Sequence, residues 1–149
     1  MSIIGFFKYN KNRRITIEAW YFCMWYRLLI RFLPSNKLEK RFGIRDQETS
    51  REVSKRDYYW AYRAGYEANR IAEKTPWDSK CLVRALAARK ILERRKVATT
   101  LYLGVGWEVK EKNPMIAHAW LRCGELYVTG GNGEGYAIVA MYGNSSEDK

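Results

Sequence analysis

The hydrophobic pattern of this chain changes period once, and that change limits its fold more than any other feature. Outside one polar passage, apolar residues recur at helical spacing up to about Arg95, whereas from Thr99 onward they alternate. A helical half followed by a strand half is the order of an α+β domain, with an antiparallel sheet built after the helices.

The helical half divides into three runs. Ile15 to Leu33 is dense in apolar and aromatic residues, and Pro34 stops it. Glu18, Arg27 and Arg31 fall inside it, which argues for a buried or amphipathic helix rather than a membrane span. Its plainest reading is a helix packed on its own domain, and a docking face for a partner protein is the alternative. Residues 38–57 are polar and read as a surface helix or linker. Asp57 to Lys74 forms the second run, where Tyr59, Tyr62, Tyr66 and Asn69 share a face, and aromatics at that spacing predict core. Thr75-Pro76 closes it. The third run, Lys80 to Arg95, buries Leu82, Ala85, Leu86, Ala88 and Leu92 and leaves Arg84, Arg89, Lys90, Arg94 and Arg95 on its wetter sides.

The strand half opens with Leu101, Leu103, Val105 and Trp107 on one face. A loop at Lys110 to Pro114 leads to a strand with Ile116, His118 and Trp120 on one side and Ala117, Ala119 and Leu121 on the other. Cys123-Gly124-Glu125 turns the chain into Leu126 to Thr129, so a hairpin is expected. A glycine-rich loop over 130–135 precedes a last strand, Tyr136 to Met141, and the tail from Gly143 is polar. The division expected from this order is an N-terminal helical extension over 1–56 and a core over 57–149.

With 149 residues, 47% of them hydrophobic, the chain is long enough for one sizeable core. Its formal net charge of +11 favours an acidic partner. No RNP-like or helix-turn-helix signature accompanies the basic and aromatic residues, so nucleic acid is not the expected partner, and membrane contact is not expected either. The first apolar run, Met1 to Phe7, is too short for a signal peptide and its charges follow it. Three cysteines without a CxxC pair argue against a disulfide framework and for a reducing, cytoplasmic compartment. One histidine and scattered cysteines make a poor zinc set, so neither metal nor cofactor is expected.

Chemistry concentrates at Cys81. Asp78 or Ser79 can cap the third helix, which places Cys81 in its first turn beside Lys80. There, free backbone amides and the helix dipole favour a thiolate and can receive an oxyanion. His118, the one histidine, follows on a strand and can act as general base and acid. Each has a structural alternative, since a cysteine beside Leu82 and Val83 packs as a small hydrophobe and a strand histidine can sit satisfied in a core. Cys23 and Cys123 read as structural.

The run Cys81-Leu82-Val83-Arg84-Ala85-Leu86-Ala87, then Thr100 to Val105, then Ala117-His118-Ala119-Trp120-Leu121, resembles the transglutaminase-like cysteine protease domain of lasso-peptide biosynthesis B proteins over about residues 76–141. The resemblance implies a papain/transglutaminase-like core in the form of a stand-alone leader peptidase. Cys81 would be the nucleophile and His118 the base. Such a protein cuts the leader from a ribosomally made precursor peptide. It works with a small PqqD-like leader-recognition protein, and a separate ATP-dependent macrolactam cyclase is a further candidate partner. The family places an Asp about a dozen residues beyond the His. Here that region reads Tyr127 to Asn132, which leaves Thr129 or Asn132 to orient the imidazole. An acyl transferase on the same scaffold, or a non-catalytic adaptor between precursor and cyclase, are the alternatives.

Overall fold

The computed structural model describes residues 13–74, 81–107 and 115–144. The expected cap at Asp78 or Ser79, the charge of Lys80, the loop at Lys110 to Pro114, the Met1 to Phe7 run and the end of the polar tail lie outside the described residues. In chain order the elements are α1 (Arg13–Phe32), α2 (Ser35–Glu39), β1 (Ile44–Arg45), α3 (Lys55–Lys74), α4 (Cys81–Glu93), β2 (Thr99–Trp107), β3 (Met115–Cys123), β4 (Leu126–Thr129) and β5 (Ala137–Asn144). The strands form one sheet in the order β1-β5-β2-β3-β4, with every pairing antiparallel. This is the α+β architecture that the change of period predicts.

Helices α1, α3 and α4 pack on one another, and α4 lies across β2, β3 and β4. Leu86, Ile91 and Leu92 of α4 meet Leu101, Ala119 and Leu121 of the sheet in a core closed to solvent. Each of these leucine and isoleucine side chains contributes about 2 kcal/mol by leaving water. The start of α3 is capped by Ser54, whose Oγ accepts from the Asp57 amide at 3.1 Å. At the end of α4, Lys96 takes the left-handed conformation (φ 61), and its amide bonds Glu93 O while Val97 N–H bonds Leu92 O, each at 3.0 Å.

Helix α1 belongs to the same core, because Ile15, Ala19, Phe22, Cys23 and Tyr26 are buried in it. Glu18 accepts from Arg94 and Arg95 at 2.7 Å, and Arg95 also lies over Trp60. Helix α1 therefore packs on α3 and α4 rather than standing apart from them. The opposite stripe of α1 is open: Trp20, Met24, Trp25, Leu28 and Phe32 are exposed.

Two expectations about faces are corrected. Tyr59, Tyr62 and Tyr66 do share a face, but it is the outer one; α3 buries Ala61, Ala64, Gly65, Ala68 and Ile71 instead. Small residues let the helix backbone approach β4 closely, and a Cβ at Gly65 would stand 2.5 Å from Val128 O. Arg89 is buried rather than wet, donating to the carbonyls of Phe42 and Tyr142 and so tying α4 to the segment before β1 and to β5. Burial pulls its pKa down to about 10.

Candidate active site

Cys81 is the first residue of α4, where backbone amides of the first turn have no partner within the helix. It is half-buried, and its Sγ accepts a hydrogen bond from the Ala119 amide of β3 at 3.3 Å. The thiol thus rests against the peptide that joins His118 to Ala119. Cys23 and Cys123 are fully buried, and burial above all pushes both thiols up to about 11. They are small core side chains, as their sequence context predicts, and all three cysteines are free.

His118 is half-buried on β3, opposite Gly104 of β2. Its ring lies over Tyr136 at 4.7 Å and against Trp120 at 5.8 Å, both nearly parallel. Nε2 stands 2.7 Å from Gly130 O. A carbonyl can only accept, so Nε2 carries a proton, and in the neutral ring the lone pair is then on Nδ1, the form a general base needs. Gly130 lies 12 residues beyond His118.

Neither residue expected to orient the imidazole makes the contact. Thr129 Oγ1 is buried without a hydrogen-bond partner, and Asn132 Oδ1 accepts from the Glu134 amide. The physical reason is the loop's course: Gly130 takes φ 77, which turns its carbonyl toward the imidazole, and a Cβ there would stand 2.5 Å from Ala119 O.

Behind the ring a second group of residues is fixed. Trp120 stacks on Tyr102 at 5.5 Å, and a Cβ at Gly104 would meet the Trp120 ring at 2.8 Å. The Tyr102 hydroxyl donates to Glu48 and accepts from Arg122 Nε, while Arg122, wholly buried, also donates to Gly124 O and Thr49 O. Burial, with Glu48 adding to it, raises the Tyr102 pKa. Sequence reasoning missed this network and the Gly130 carbonyl. A backbone oxygen has no residue-type signature, and Glu48 lies 74 residues from Arg122.

Cys81 and His118 open on one cleft of about 550 Å³, walled by Leu82 and Val83 of α4, Leu103 and Val105 of β2, Val139 of β5, and Arg27 and Ile30 of α1. Among the described residues no group of three or more His, Cys, Asp or Glu side chains could hold a metal ion. Nor, among them, is any helix long and apolar enough to cross a membrane.

A thiol at a helix start and an imidazole on the strand beside it, sharing one cleft, form an arrangement with which cysteine-based proteolysis or acyl transfer can be carried out. The sequence agrees at the level of family. Residues 25–141 match the transglutaminase-like superfamily, and this chain belongs to it. No curated protein and no solved structure matches the chain.

Proposed function

We propose that this protein is a cysteine peptidase that removes the leader from a ribosomally made lasso-peptide precursor, acting with a separate leader-recognition protein. The observation that carries the reading is the shared cleft: Cys81 heads α4 with its Sγ on the Ala119 amide, and His118 next to it is held at Nε2 by Gly130 O. In this reading His118 Nδ1 takes the thiol proton and Sγ attacks the scissile carbonyl. First-turn amides of α4 receive the oxyanion, His118 returns the proton to the leaving amine, and water hydrolyses the thioester. The Gly130 carbonyl performs the orienting task that a carboxylate has in related triads, and it stabilises the imidazolium by dipole rather than by full charge.

The test is mass spectrometry of a lasso precursor incubated with this protein and a leader-recognition protein. Cys81→Ala is expected to abolish the cut and His118→Ala to slow it at least about a hundredfold. Cleavage that survives Cys81→Ala would overturn the nucleophile assignment. The same spectra separate hydrolysis from acyl transfer, since an amine acceptor adds its own mass to the product.

A further inference from the structure

Arg27 is the one charged residue from α1 in the cleft that holds Cys81 and His118. The surfaces around it, from Ile30, Leu82, Val83, Leu103, Val105 and Val139, are apolar. Its Nε is buried and has no hydrogen-bond partner, and among the described residues no carboxylate meets its guanidinium. Arg63 Nε is likewise buried without a partner, but its guanidinium has the Glu67 carboxylate at 3.8 Å, and four further enclosed arginines are all partnered. Arg89 donates to two carbonyls, Arg95 pairs with Glu18, Arg70 pairs with Glu67, and Arg122 has several acceptors. Arg27 also forms the wall between the cleft and a smaller hollow of about 230 Å³, whose other sides are Met24, Leu28 and Arg31.

A buried guanidinium Nε–H without an acceptor gains from a ligand that supplies one. Its fork fits a carboxylate with two parallel hydrogen bonds, and an amide of the same shape offers only one acceptor oxygen and no charge. Arg31, one turn further along α1, adds a second cation to the smaller hollow on the other side of Arg27. We propose that Arg27 is a specificity-determining residue that binds the carboxylate of an acidic residue beside the scissile bond of the peptide substrate. The proposal rests on the reading of the cleft as a peptide-processing site, and it makes that substrate acidic where it lies along α1.

The test uses the whole protein and two thiol reagents that differ in charge, iodoacetate and iodoacetamide, with alkylation of Cys81 followed by peptide mapping. Cys23 and Cys123 are buried and stay unlabelled. The rate ratio of iodoacetate to iodoacetamide is expected to fall about five- to tenfold in Arg27→Gln and to be largely kept in Arg27→Lys, because the anionic reagent is drawn by the cation. Glutarate is expected to protect Cys81 from iodoacetamide better than glutaramide does, and Arg27→Gln to erase the difference. An unchanged ratio, or protection by glutarate that persists in Arg27→Gln, overturns the proposal. The two readings fail separately: an uncut precursor removes the peptidase assignment and leaves the alkylation ratio intact. An unchanged ratio removes the role of Arg27 and leaves cleavage to stand.

Discussion

At Gly130 a single backbone torsion decides what His118 can do. The residue sits at φ 77, its carbonyl receives Nε2–H at 2.7 Å, and a methyl group added there would collide with Ala119 O. Gly130→Ala therefore adds a left-handed penalty of about 1 kcal/mol and moves the carbonyl off the ring. On the proposed function, turnover of the precursor per folded molecule is expected to drop about tenfold or more, beside a fall in melting temperature larger than the torsion alone would cause, because the added methyl meets backbone. A purely structural role for the loop would lower the melting point with turnover per folded molecule unchanged. The cysteines supply a prediction that needs no substrate. Cys23 and Cys123 titrate near 11 when folded against 9.0 when free, so the folded state holds its protons longer. Their contribution is complete below pH 9 and is lost as pH rises toward 11. Urea unfolding at pH 8 and pH 10 is expected to show a fall of roughly 2 to 3 kcal/mol, with about half of it removed by Cys23→Ala. Arg89, whose pKa is lowered, opposes this trend only above about pH 10.

At the scale of elements, the ends of α4 do different work. Its first residue is the thiol, and its last turn is closed by Lys96 in a conformation that lysine adopts at a cost. Lys96 is exposed and only its backbone makes the closing bonds. Lys96→Gly is therefore expected to stabilise the protein by about 1 kcal/mol, read as a higher urea midpoint with the same slope. Helix α4, β3 and the hairpin into β4 were legible in the sequence because their periods are local and their boundaries are marked by Pro76, Gly124 and Gly130. The inner face of α3 was not. Period states which residues lie together, here Tyr59, Tyr62 and Tyr66, but which side meets β4 is settled by Gly65 fitting against Val128 O. Strand β1 was equally hidden, since its two residues, Ile44 and Arg45, become a strand only by pairing with Gly143 and Tyr142 nearly a hundred positions on. At the site, Cys81 and His118 could be picked out as candidates from residue type and context, and they line one cleft. The carbonyl of Gly130 could not, because its role depends on a loop torsion rather than on a side chain.

For the molecule as a whole, α1 has to be read on both of its sides. Its inner side is part of the core and is clasped to the end of α4 by Glu18 with Arg94 and Arg95. Its outer side leaves a run of apolar residues in water, with Trp25 40% and Phe32 72% exposed. A continuous apolar stripe of this kind marks an interaction surface more often than it serves the fold, because its solvation is unfavourable unless something covers it. The stripe lies on the same helix that carries Arg27 into the cleft, so a protein seated on it would neighbour the cleft that holds Cys81. On the proposed function, the leader-recognition protein would sit on this stripe. Trp25→Glu combined with Phe32→Glu is expected to move the melting temperature by no more than a few degrees, since neither side chain is in the core. The same pair is expected to weaken binding of the leader-recognition protein at least about a hundredfold by calorimetry, as loss of two aromatic anchors does at interfaces. Binding that is undiminished in the double variant would place the partner on another face and leave the stripe without that role.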